Sequence, residues 1–175
     1  HERFAQATAA VAAKNARILV QDYHLQLVPA MLRRLRPDLR IGFFMHIPFP
    51  PAELFAQLPW RKKILEGLLG ADVVGFQTAR GSQNFIRLVN TYTEHSGEDH
   101  RVTVGDRKVQ TRAFPISIDV ERFEQLCKEP AIMARSDQIR RELGQQRTIM
   151  LGVDRLDYTK GIDIRLRAFQ EVLAS

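Results

Sequence analysis

Apolar residues recur along this chain with two alternating periods. The run Ala16 to Gln21 places Ile18, Leu19 and Val20 in succession, as expected of a strand buried on both faces. Leu27, Val28, Met31, Leu32 and Leu35 then return at helical spacing, with Arg33, Arg34 and Arg36 on the other side and Pro37 as the stop. Arg40 to His46 predicts a second strand, Ala52 to Gly70 a helix broken near Pro59, and Asp72 to Gln77 a third strand. Phe85, Leu88, Val89 and Tyr92, at i, i+3, i+4 and i+7, mark another helix. The order β-α-β-α-β-α predicts an α/β fold with a doubly wound parallel sheet.

After Tyr92 the pattern changes. Arg101 to Val104, a Gly105-Asp106 turn and Lys108 to Phe114 predict a hairpin whose second strand ends at Pro115. A helical region from Ile118 to Leu143 is interrupted at Pro130, Arg147 to Val153 predicts a new strand, and Ile162 to Leu173 the helix after it. Residues 1–118 therefore read as one α/β domain, 119–144 as a helical connection, and 145–175 as the first βα unit of another. The chain opens on His1 and its last helical pattern reaches Ser175 without a stop signal, so a piece of a longer protein is expected.

A hydrophobic share of 45% and a charged share of 26% are ordinary globular values, which sets disorder aside. The net charge of +6 suits anionic ligands such as phosphates. The basic residues are scattered over three helices, at Arg33, Arg34 and Arg36, at Arg61 to Lys63, and at Arg140 and Arg141. Nucleic-acid binding, which would need a basic stripe with interleaved aromatics, is not expected. A single cysteine, Cys127, excludes a disulfide within the chain and predicts a buried thiol in a reducing, cytoplasmic setting. No run approaches the roughly 18 apolar residues of a membrane span.

Candidate chemistry collects just past the carboxyl ends of predicted strands, where open α/β sheets bind their ligands. Asp22-Tyr23-His24 follows the first strand, His46-Ile47-Pro48-Phe49-Pro50-Pro51 the second, and Arg155 to Lys160 the last. Two cations in a turn leading into a helix suit a phosphate or diphosphate. Plainer roles exist for each: Asp22 as a helix cap, His46 as a core histidine, the basic turn as a solvated loop. The three prolines fix a rigid loop. Asp22, His24 and His46 lack metal-ligand spacing, so no metal is expected. A dinucleotide glycine fingerprint, a Walker loop and a serine-hydrolase elbow are all absent. If the two domains face each other, a carboxylate, an imidazole and two cations converge on one cleft.

Taken in order, Gln21-Asp22-Tyr23-His24-Leu25, Gly42-Phe43-Phe44-Met45-His46-Ile47-Pro48-Phe49-Pro50, Asp72-Val73-Val74-Gly75-Phe76-Gln77-Thr78 and Gly152-Val153-Asp154-Arg155-Leu156-Asp157-Tyr158-Thr159-Lys160-Gly161 closely resemble the trehalose-6-phosphate synthase family. The resemblance implies a GT-B fold of two Rossmann-like halves, residues 1–118 belonging to the N-terminal, acceptor-side half and 145–175 to the C-terminal, nucleotide-sugar-binding half. It implies a cytoplasmic, retaining glucosyl transfer from UDP-glucose to glucose 6-phosphate, giving α,α-trehalose 6-phosphate and UDP, with no metal or other cofactor. By the same resemblance Asp22 contacts the acceptor glucose 6-phosphate, His46 the donor glucose, and Arg155 and Lys160 the donor diphosphate. His46, Arg155 and Lys160 are thereby the expected catalytic group. The implied partners are these small molecules, without nucleic acid or membrane, in a homo-oligomeric full-length enzyme.

Asp154 and Asp163 depart from the family, which has glutamate and commonly proline there, without replacing the basic pair. The family's glycine-rich donor loop, most of its acceptor-phosphate residues and its ribose- and base-binding segment lie outside this sequence, so activity is expected only in full-length context. Two other readings share the donor-side residues: another retaining transferase, such as a glucosylglycerol-phosphate synthase, and a catalytically silent sugar-phosphate-binding regulatory subunit.

Overall fold

The computed structural model describes residues 1–144 and 148–174 and divides into two units, His1–Ile118 and Asp119–Ser175. The first unit runs α1 (Glu2–Val11), β1 (Arg17–Gln21), α2 (Val28–Leu35), β2 (Arg40–Met45), α3 (Ala52–Phe55), α4 (Arg61–Leu68), β3 (Val73–Phe76) and α5 (Ala79–Tyr92). β4 (Ser96–Glu98), β5 (Arg101–Val104) and β6 (Arg107–Ala113) follow. The strands form one sheet in the order β1-β2-β3-β6-β5-β4. β1, β2, β3 and β6 are parallel, with Gln21 level with Phe44, Met45 with Phe76, and Phe76 with Ala113. β5 and β4 continue the sheet antiparallel, through the predicted hairpin and through a strand of three residues too short for its period to show.

Each parallel connection steps in the same direction, and right-handed crossovers then put α2, α4 and α5 on one face of the sheet. Strand alternation agrees: Val20, Ile41, Phe43, Met45, Val74, Phe76 and Val109 are buried under that layer. The described residues thus supply one helical layer of a doubly wound sheet. β1 is accordingly not buried on both faces as its apolar run predicts. It lies at the sheet edge, and Leu19, on the other face, is 63% exposed.

Helix α4 and the turn after it sit so close to α2 and the segment before it that Gly67 and Gly70 touch backbone. A Cβ on Gly70 would overlap Cα and N of Ala30, and one on Gly67 would stand 2.7 Å from the Gln26 carbonyl oxygen. Gly70→Ala must therefore separate the helices, and is expected to lower stability by about 1–3 kcal/mol, read as a lower urea midpoint. An unchanged midpoint would show that the contact yields without cost.

The arginines of α2 are not simply a solvated face. Arg33 donates to the carbonyls of Pro37, Leu39 and Gly70 and pairs with Asp72 at 2.7 Å. The same Asp72 oxygen accepts from the Ile41 N–H at 2.7 Å, so one carboxylate ties α2 to the amino ends of β2 and β3. Arg36 donates to the carbonyls of Ala9, Ala12 and Ala13, where the C-terminus of α1 favours a cation, and pairs with Asp38 at 2.8 Å. The Arg36 guanidinium, and then the Asn15 N–H, hold the Asp38 carboxyl well below the usual carboxylate range. A depressed folded-state pKa stabilises the fold above the unfolded value of about 3.9 and loses that contribution as pH falls through the folded one. Asp38→Asn should therefore melt below the parent at neutral pH, with the gap narrowing once pH drops below about 4. A gap independent of pH would contradict this.

In the second unit α6 (Val120–Leu126) and α7 (Pro130–Leu143) are separated at the predicted break, and α8 (Ile162–Ala174) follows a 3-10 turn at Tyr158–Lys160. None of these helices has a buried side chain. Cys127, expected to be buried, is consequently exposed. The strand predicted from Arg147 to Val153 is not formed by Thr148 to Val153; Arg147 lies outside the described residues. A strand needs a neighbour for its N–H and C=O groups, and this unit offers none among the described residues. No described helix is long and apolar enough to cross a membrane.

Candidate active site

Because β1 and β2 are parallel neighbours, the segments leaving their carboxyl ends emerge side by side. The Asp22 N–H donates to the Phe44 carbonyl at 2.8 Å as the last rung of that ladder. The chain then turns abruptly, with Asp22 at φ 65° and ψ 169°, a backbone region otherwise almost confined to glycine and costing on the order of 1–3 kcal/mol. This turn aims the carboxylate across the strand ends. Asp22 Oδ1 accepts from the Tyr23 N–H at 2.9 Å and from the His46 N–H at 3.3 Å. Oδ2 has no partner among the described residues. Asp22 does cap the 3-10 turn Tyr23–Leu25, as the plainer role holds, but capping needs no glycine-type backbone.

His46 is exposed, which removes the core-histidine reading. Its ring meets Phe44 edge-on at 4.8 Å, and Nε2 lies 2.6 Å from Oε1 of Gln21. The loop after it is anchored by Phe49, which is buried against Phe55, Phe76 and Phe85 at centroid distances of 5.3 to 5.5 Å. Asn84 Nδ2 donates to the Phe49 carbonyl at 3.1 Å. The prolines on either side stiffen the backbone, and the phenylalanine plugs it into the core. Beside the site, Tyr23 stacks on His24 at 3.9 Å.

The structure thus brings Asp22 and His46 together. Sequence reasoning missed Gln21 as the histidine's partner; its signal was cross-strand register, which no spacing along one strand reveals.

Arg155 and Lys160 belong to the second unit, both exposed and on one turn. Asp157 organises that turn, its Oδ1 accepting from the Thr159 N–H at 2.9 Å and from Thr159 Oγ1 at 2.8 Å. Those two bonds, and then the nearby charges of Arg155 and Lys160, pull the Asp157 carboxyl below its ordinary range. Gly161, at φ 58°, supplies the left-handed residue that lets α8 begin. Arg165 pairs with Asp154 at 2.7 Å and donates to the Lys160 carbonyl at 3.4 Å, clasping the turn from α8. No ion pair occupies Arg155 or Lys160 among the described residues. Nor do three or more His, Cys, Asp or Glu side chains there form a metal cluster.

The sequence profile of glycosyltransferase family 20 matches residues 1–175. The chain belongs to that family. A trehalose-6-phosphate synthase from Mycolicibacterium paratuberculosis is 55% identical over 99% of this chain and 37% of its own length. Among solved structures, the trehalose-6-phosphate protein of E. coli bound with UDP-2-fluoro glucose superposes with TM-score 0.79 at 29% identity, over 99% of this chain and 38% of its own. An α,α-trehalose-phosphate synthase (UDP-forming) from Burkholderia xenovorans in complex with glucose-6-phosphate gives 0.75 at 27%, over 99% and 39%. The family 20 chain therefore has the GT-B type fold, and spans a little over a third of the length of the relatives it matches.

Proposed function

We propose that this chain carries part of the active site of a retaining glucosyltransferase, which in full-length context moves glucose from UDP-glucose to glucose 6-phosphate and releases α,α-trehalose 6-phosphate and UDP. The observation that carries the proposal is Asp22. A carboxylate is held beside His46 at the carboxyl ends of two parallel strands, in a backbone conformation that packing alone would not select. Names of relatives with 55% identity support the same reading.

Asp22 Oδ2 accepts from hydroxyls of the acceptor sugar and fixes the attacking one. Orientation of this kind is worth many orders of magnitude when reacting atoms are held in near-attack geometry. His46 hydrogen-bonds the donor glucose. As the anomeric C–O bond breaks, negative charge grows on the departing diphosphate, and Arg155 and Lys160 stabilise it more than the ground state. The acceptor hydroxyl attacks the face that the leaving group vacates, and a diphosphate oxygen takes its proton. With two cations in this role, the proposed reaction needs no divalent ion. A cytoplasmic location and homo-oligomeric assembly of the full-length protein belong to the same proposal.

The test is mass spectrometry of products formed by the full-length protein from glucose 6-phosphate and competing UDP-, ADP- and GDP-glucose, with and without EDTA. A disaccharide phosphate, preferentially from UDP-glucose and undiminished by EDTA, is expected. Absence of that product from folded protein would sink the proposal in favour of another acceptor or a regulatory role.

A further inference from the structure

The contact between Gln21 and His46 carries a consequence for the donor side of the site. Gln21 is the last residue of β1, and its register opposite Phe44 brings its side chain to the ring of His46, two residues further along the neighbouring chain segment. At 2.6 Å this is a short hydrogen bond, and an amide oxygen can only accept. With the amide in this orientation, Nε2 carries the proton. In a neutral imidazole that leaves Nδ1 bare. The backbone of His46 is fixed independently through its N–H to Asp22, and its ring leans edge-on against Phe44. Nδ1 has no partner among the described residues.

We infer that Gln21 is a positioning residue that commits Nε2 of His46, so that the nitrogen presented to the donor glucose is Nδ1, accepting from a sugar hydroxyl. This rests on the reading of His46 as the donor-sugar contact. A ring free to exchange tautomers would spend part of its time offering a donor where an acceptor is needed, whereas a fixed amide partner removes that ambiguity.

Two measurements on the full-length protein test it. Long-range nitrogen–proton NMR of the imidazole rings, with the His46 signals assigned by their loss in His46→Ala, reports the tautomer without reference to catalysis. The expected result is a proton on Nε2 in the parent and mixed tautomers in Gln21→Ala. Steady-state kinetics should show the KM for UDP-glucose raised about tenfold in Gln21→Ala, with the KM for glucose 6-phosphate unchanged. A proton on Nδ1 in the parent, or a tautomer indifferent to Gln21→Ala, would overturn the inference. So would equal changes in both KM values. A parent enzyme without transferase activity would defeat the functional reading and the role toward the donor, while the tautomer result would still report on the contact itself.

Discussion

Arg155→Ala in the full-length protein is expected to lower turnover by roughly a thousandfold while leaving the fold intact. In the proposed reaction, departure of the diphosphate concentrates developing charge on its oxygens, which cationic donors stabilise. Losing one such donor costs on the order of 10²–10³ in other enzymes, and a guanidinium aimed at phosphoryl oxygens can contribute more. Arg155 makes no ion pair among the described residues and is exposed, so no structural role shields the interpretation. The turn is held by bonds among Asp154, Asp157, Thr159 and Arg165, and the Arg155 side chain makes none of them. Unchanged circular dichroism with collapsed turnover is the predicted pair of results. Near-normal turnover from a folded variant would remove Arg155 from the mechanism.

Asp22→Gly separates the two reasons a carboxylate could occupy that position. The glycine variant loses the bonds to the N–H groups of Tyr23 and His46, each worth about 1 kcal/mol, and these groups lie where water can replace the carboxylate. It also pays the unfolded-state freedom of glycine, about 0.5–1 kcal/mol, and regains about 1–3 kcal/mol of backbone strain. The sum runs from about 2 kcal/mol below the parent's stability to about 0.5 kcal/mol above it, depending on how much strain is released. Asp22→Ala loses the same bonds and keeps the strain, so it should be the less stable of the two. Both variants should lose activity about a hundredfold or more, with acceptor binding most affected, because the attacking hydroxyl is no longer oriented. Chemical denaturation and steady-state kinetics with varied glucose 6-phosphate decide it. A glycine variant much less stable than the alanine variant would show that the backbone here is not strained, a large loss of stability in both would show that the carboxylate is structural, and full activity in either would reject its role toward the acceptor.

Along the chain, what could be read without coordinates was whatever repeats locally. Helical spacing at Phe85, Leu88, Val89 and Tyr92 predicted α5, and Pro59 and Pro130 marked breaks where helices do part. The strand ends carrying Asp22 and His46 were legible because apolar runs stop at polar residues. The same local signals misled where burial depends on partners. The apolar run of β1 looks doubly buried but lies at the sheet edge among the described residues, and Thr148 to Val153 has strand composition with no strand there to pair with. Cys127 caps the end of a helix whose side chains none of the described residues bury.

The amino-acid order by itself determined the α/β class, the family and which residues carry charge to the strand ends, because periodicity and motif identity are properties of neighbours in sequence. Tertiary structure alone decided that Asp22 adopts a glycine-type backbone, that Gln21 meets His46, and that Arg33 and Arg36 clasp carbonyls rather than water. The Gln21–His46 contact and the Arg36–Ala9 bond join segments that are distant in sequence and adjacent only once the parallel register and the α1–α2 packing are set. Hydrogen-bond partners across such distances are fixed by the geometry of the sheet and its helices, not by spacing along the chain.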